Sequence, residues 1–157
     1  MQLSNTTLDF EDGELKTNKC DRSGKPLETM FITQTASIID ELLSKRRFQD
    51  TKLYKNFQRL LYVPISKVGS PADWMYLAPI QVDLSLPKYY ELAQQLEADY
   101  YNICDQLNQQ LSESNFNFTS LYNNMYGGFA IILRSPIHFD CSNVILAVFP
   151  CQSVKPP

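Results

Sequence analysis

Residues 9–17 read Asp9-Phe10-Glu11-Asp12-Gly13-Glu14-Leu15-Lys16-Thr17, four carboxylates within six residues leading into an acid-x-base triplet. Like charges this close repel one another, and packing a core does not require them; a divalent cation would relieve the repulsion. Asp12-Gly13 is a strong tight-turn dipeptide, because glycine tolerates the positive φ that such turns demand. If the turn joins two short strands, Asp9 lies near the end of the first, and Glu14 and Lys16 lie on the second. A strand alternates faces with a period of two, so Glu14 and Lys16 share a face and the hairpin returns Asp9 beside them. The expected result is two carboxylates and one ammonium around one point.

That trio suits phosphodiester hydrolysis. A hard cation such as magnesium takes one or two carboxylates with several waters and leaves positions open for phosphate oxygens. It lowers the pKa of a bound water and neutralises charge developing on the phosphate. Lys16 could hold the attacking water or steady the charged transition state. The triplet alone is a weak signal, since acid-x-base recurs on solvated strands and helices.

Longer runs add to it. Asp9-Phe10, then Gly13-Glu14-Leu15-Lys16-Thr17, then Asp21-Arg22-Ser23-Gly24-Lys25-Pro26-Leu27-Glu28-Thr29-Met30-Phe31 together resemble the MutH family of GATC-directed DNA endonucleases. That family includes the mismatch-repair nicking enzyme and related restriction enzymes. A second block, Arg59-Leu60-Leu61-Tyr62-Val63-Pro64-Ile65 with Val68-Gly69-Ser70-Pro71 and Trp74, follows in the family's order, and Gly128 with Ile132-Leu133-Arg134 forms a third. The resemblance implies a restriction-endonuclease-like fold, a central mixed sheet flanked by helices, and magnesium-dependent cleavage of double-stranded DNA. It implies Asp9, Glu14 and the Leu15 carbonyl as metal ligands, Lys16 as the catalytic ammonium, and mismatch-repair proteins as candidate partners. Glu28 and Phe31 would stand near DNA, and Arg134 would read a base edge, as an arginine can by bidentate pairing with guanine.

The sequence departs from the family in places. The spacing from Asp9 to Glu14 is shorter, which leaves Asp12 as an alternative first ligand. An ungapped match from Arg59 puts Asn56 where the family carries a functional lysine, so the adjacent Lys55 is expected only to contact DNA. Eight residues precede Asp9, and the family's C-terminal arm is not recognisable after Phe149, so truncation at both ends is expected. The second reading is therefore a truncated relative that binds DNA or a repair partner without cutting.

The 157 residues fit one domain, and 44% apolar with 12% aromatic residues excludes a wholly disordered chain. No apolar run approaches the ~20 residues that span a bilayer, and residues 1–8 lack the basic and apolar regions of a signal peptide; the expectation is a cytoplasmic protein with no membrane contact. Cys20, Cys104, Cys141 and Cys151 form no C-x-x-C pair and His138 is the single histidine, which argues against zinc and against a histidine-assisted hydrolase. Net charge is −3, but residues 1–14 carry four acids and no base, residues 15–67 eleven bases and five acids, and residues 68–157 three bases and eight acids. An acidic pocket beside a basic stretch fits a nuclease, because phosphates need counter-charges while metals need carboxylates.

Along the chain, residues 17–26 read as a basic loop in which Lys19, Arg22 and Lys25 contact phosphate. Residues 27–34 read as a strand with Phe31 and Thr33 on one face and Met30 and Ile32 on the other. Ser37 is expected to cap a helix over 38–47, closed by Lys45, Arg46 and Arg47. Strands are expected over 60–64 and over 74–82, the latter broken at Pro79 and near an edge, with Trp74 packed. Pro87 opens the longest helix, to about residue 111, whose stripe runs Tyr89, Leu92, Leu96, Tyr100, Ile103, Leu107 and Leu111. A loop over 112–126 and strands over 129–134 and 143–149 complete the expected mixed α/β fold.

Overall fold

The computed structural model describes residues 9–10, 12–112, 128–133 and 144–149. In chain order the elements are β1 (Glu14–Cys20), β2 (Met30–Gln34), α1 (Ile39–Leu43), α2 (Lys52–Gln58), β3 (Arg59–Ser66), β4 (Met75–Tyr76), β5 (Ile80–Asp83), α3 (Tyr90–Ser112), β6 (Gly128–Leu133) and β7 (Val144–Phe149). The fold is mixed α and β. None of the described helices is long and apolar enough to cross a membrane.

β1 and β3 run parallel, with Glu14 opposite Leu60, Lys16 opposite Tyr62 and Cys20 opposite Ser66. The other edge of β3 carries two short antiparallel strands in tandem, β5 against residues 59–62 and β4 against residues 65 and 66. The gap between them falls at Pro64, which has no N–H to offer a continuous partner. Its carbonyl, on the same side, accepts the Leu77 amide at 3.0 Å. The strand expected over 74–82 is accordingly two strands separated by Leu77-Ala78-Pro79.

A single central sheet was the expectation, and the described residues form two. β2, β6 and β7 make a separate antiparallel sheet. The divergence begins at Glu28. Its Oε1 accepts the Lys19 amide at 2.6 Å, and its carbonyl accepts Asn18 Nδ2 at 2.9 Å. With a side chain occupying the strand's N–H, the pairing that starts at Cys20 and Pro26 goes no further along β1. The register of β2 against β6 then shifts between Phe31 and Thr33. That irregularity puts Thr33 inside and leaves Phe31 54% exposed, so the two do not share a face as strict alternation required.

One apolar core joins the elements. α3 contributes Leu92, Leu96, Tyr100 and Leu107 at the expected spacing, with Tyr89 from the 3-10 turn just before it and Cys104 fully buried in addition. Each buried leucine contributes about 1.5–3 kcal/mol relative to an exposed one. Met30, Phe57, Leu60 and Val82 close the same core from β2, α2, β3 and β5. α1 is shorter than expected: a 3-10 turn over Thr35–Ile38 precedes it, and Ser37 Oγ donates to the Gln34 carbonyl instead of capping it. It stops where Lys45 turns to φ 48°. There the Tyr100 hydroxyl stands within hydrogen-bond distance of the Glu41 and Arg46 carbonyls. Lys45 pairs with Asp105, and Arg46 with Glu41 at 3.2 Å. α2 was not foreseen; Thr51 caps it by accepting the Tyr54 amide at 3.0 Å. Trp74, expected to be packed, is exposed on one side with the Lys67 ammonium 5.0 Å from its ring centre.

Candidate active site

β1 carries its polar residues inward. Glu14 and Asn18 are buried and Lys16 is half-buried, whereas Leu15 and Lys19 on the other face are exposed. A strand packed for stability alone would reverse that pattern, and such violations of local rules concentrate at functional sites.

The inward face brings the acid-x-base pair into contact. Lys16 Nζ donates to Glu14 Oε1 at 2.7 Å, a charge-assisted bond between side chains only 17% and 10% exposed. Asp9 joins them from the preceding turn. Its Oδ2 accepts the Leu15 amide at 3.0 Å, and its own amide stands 3.4 Å from Glu14 Oε2. Asp9, Glu14, Leu15 and Lys16 therefore converge at the entrance to β1, as period two and a returning turn required.

The turn itself differs from the expectation. Asp9 and Phe10 lie in a bend, with Phe10 donating to the Gly13 carbonyl at 2.9 Å, and the described chain enters β1 from that bend, with no preceding strand described. Gly13 does not take a positive φ; Gly24 and Gly69 do. Gly13 is required for a different reason, because a Cβ there would come within 3.0 Å of the Arg59 carbonyl and 3.4 Å of Arg59 Cβ. Asp12 pairs with Arg59, whose Nη1 reaches Asp12 Oδ2 at 2.9 Å while its Nε reaches Asp83 Oδ2 at 3.3 Å. The Ser85 hydroxyl, first, and the Ser85 amide hold the Asp83 carboxyl below the usual range, with the guanidinium adding less. A cleft of about 240 Å³ opens here, lined by Phe10, Asp12, Glu14, Arg59, Leu61 and Gln81. A water takes about 30 Å³ of liquid, so a hydrated cation or a phosphate group fits.

Two carboxylates and a main-chain position next to an ammonium are donor types that a hard cation such as magnesium takes; of these residues, Glu14 alone also lines the cleft. Among the described residues no three His, Cys, Asp or Glu side chains gather as a metal cage.

The expected DNA contacts are spread more widely. Lys19 is on the outward face of β1, and Arg22 and Lys25 are exposed beyond its end, a strand length of roughly 20 Å from Glu14. Residues 17–20 belong to the strand, so the basic loop is confined to 21–26. Asp21 organises it: Oδ1 accepts the Ser23 hydroxyl at 2.6 Å, the Ser23 amide at 2.8 Å and the Lys25 amide at 3.0 Å. These bonds, the Ser23 hydroxyl foremost, hold the Asp21 carboxyl below its ordinary range. Glu28 is exposed but bonded to the Lys19 amide, and Lys55 is exposed on α2 beside the buried Asn56. Arg134 lies outside the described residues.

Arg59 and Asn18 were missed as site residues. A lone arginine opening an otherwise apolar strand was the available signal for the first. For the second, only its place two residues after Lys16 hinted at the shared face. No model of a known protein family matches the chain, and no curated protein sequence matches it.

Proposed function

We propose that the chain is a magnesium-dependent DNA endonuclease of the MutH kind, built on a restriction-endonuclease-like fold and acting in mismatch repair or restriction. The observation that carries this reading is the 2.7 Å contact of Lys16 with Glu14 on an inward strand face, with Asp9 bonded to the Leu15 amide beside it. Asp9, Glu14 and the Leu15 carbonyl would hold the cation. When bound, the cation would supply an activated water and charge neutralisation on the phosphate. Lys16, beside Glu14, would orient a water for attack on phosphorus and offset charge on the phosphate oxygens as the P–O bond to the leaving sugar breaks. Lys19, Arg22 and Lys25 hold flanking phosphates, and the acidic side of α3 faces away from DNA.

The test is nicking of supercoiled plasmid in magnesium by the full chain and by Glu14→Ala and Lys16→Ala, with circular dichroism to confirm that each variant folds. Both variants should lose cleavage. Undiminished nicking in either rejects the assigned roles. An inactive parent that still binds plasmid supports the second reading, a non-cleaving DNA binder, which the placement of Asn56 beside the exposed Lys55 favours.

A further inference from the structure

Asn18 stands two residues beyond Lys16 on the same inward face of β1 and is only 2% exposed. Its Nδ2 donates to the Glu28 carbonyl at 2.9 Å, which fixes the amide's orientation, because a flipped amide would set two oxygens against each other. Its Oδ1 is thereby turned the other way, buried, with no hydrogen-bond partner. A buried acceptor left unfilled carries a desolvation cost and asks for an explanation.

Lys16 supplies one. Its ammonium has three donors and uses one on Glu14 Oε1. A divalent cation taking the Glu14 carboxylate would repel that ammonium at such a distance, so Lys16 must give up Oε1 and find another acceptor. Side chains at i and i+2 of a strand leave the backbone roughly 7 Å apart, within the swing of a four-carbon stem. Ser66 Oγ is also buried and unfilled, but it lies opposite Cys20, one step further from Lys16.

We propose that Asn18 is a positioning residue whose Oδ1 receives the Lys16 ammonium when a divalent cation occupies the Glu14 carboxylate. The inference rests on the metal-dependent reading above and deepens it. Asn18 gives the ammonium a second fixed position on the same face of β1 as Glu14, and its bond to the Glu28 carbonyl links that position to a segment expected to lie along DNA.

The experiment is calorimetric titration of the full chain with manganese, as parent, Asn18→Leu, Lys16→Met and the double variant, each checked by thermal melting. Asn18→Leu should weaken manganese binding about tenfold in the parent, a coupling of ordinary size for groups in contact, and by less than about twofold in Lys16→Met. Equal weakening in both backgrounds makes Asn18 a support for Glu28 alone and overturns the proposal, leaving the metal site intact. A parent that binds no manganese overturns the metal reading and this one together. If Asn18→Leu does not fold, Asn18→Ser, whose hydroxyl falls short of the ammonium, replaces it with the same expected outcomes.

Discussion

The Arg59 guanidinium stands 2.9 Å from the Asp12 carboxylate and ties the acidic turn to the first residue of the central strand. Asp12 is thereby committed to an ion pair, while Asp9 faces the start of β1 and accepts the Leu15 amide. On the proposed metal-dependent reading, that difference favours Asp9 as the first ligand. The Arg59 to Asp12 pair is exposed, and such pairs are worth about 0.2–1 kcal/mol, so Asp12→Asn should cost nicking only a few-fold. Asp9→Asn should cost about a hundredfold or more. Plasmid nicking rates at saturating magnesium measure both, and the reverse ranking would transfer the ligand role to Asp12.

Gly13 leads to a second prediction. A methyl group there would press on the Arg59 carbonyl, and main chain in the middle strand of a sheet cannot give way as a side-chain tip can. Gly13→Ala should therefore cost about 1–3 kcal/mol and lower the melting temperature by several degrees. An unshifted melting curve would mean that the turn does not rest on β3.

The shared face of Glu14 and Lys16 was legible from period two alone, because alternation is fixed by backbone geometry and needs no tertiary information. The α3 stripe was legible for a similar reason: steps of three and four over more than twenty residues admit one face. Glycine in Asp12-Gly13 was misread, since the sequence marks a glycine without distinguishing a positive φ from a close approach by a distant strand. Phe31 and Thr33 were misassigned because the register shift is set by pairing with β6, about a hundred residues later. Arg59 and Asn18 escaped notice because their partners, Asp12, Asp83 and the Glu28 carbonyl, are defined by the fold and not by local spacing.

The Tyr62 hydroxyl, buried in the core beneath the site, is pushed up to about 12, chiefly by burial and then by the charges of Cys20 and Glu28. An unfolded tyrosine ionises near about 10. A neutral acid whose folded pKa is raised contributes stability that is fully present below the unfolded value and is lost as pH rises through the folded one. Between about pH 10 and 12, the urea midpoint of the parent should fall more steeply than that of Tyr62→Phe, which has no proton to lose there. Parallel curves across that window would mean that Tyr62 ionises as freely in the folded chain as in water.

On the metal-dependent reading, Lys16 would connect stability to metal binding. The Glu14 carboxylate is nearly buried, and the ammonium 2.7 Å away offsets much of its desolvation. In Lys16→Met that carboxylate keeps its burial and loses its counter-charge, so without metal the variant should melt below the parent, by the equivalent of about 1–3 kcal/mol. A divalent cation at Glu14 would restore the missing positive charge and would no longer compete with an ammonium there. Ligand that binds only the folded state raises stability by RT ln(1 + L/Kd), L being its free concentration, so on the metal-dependent reading millimolar magnesium should raise the melting temperature of Lys16→Met more than that of the parent. Thermal melts of both proteins with chelator and with magnesium decide the matter. Equal magnesium shifts in the two would mean that the ammonium and the cation do not share the Glu14 carboxylate.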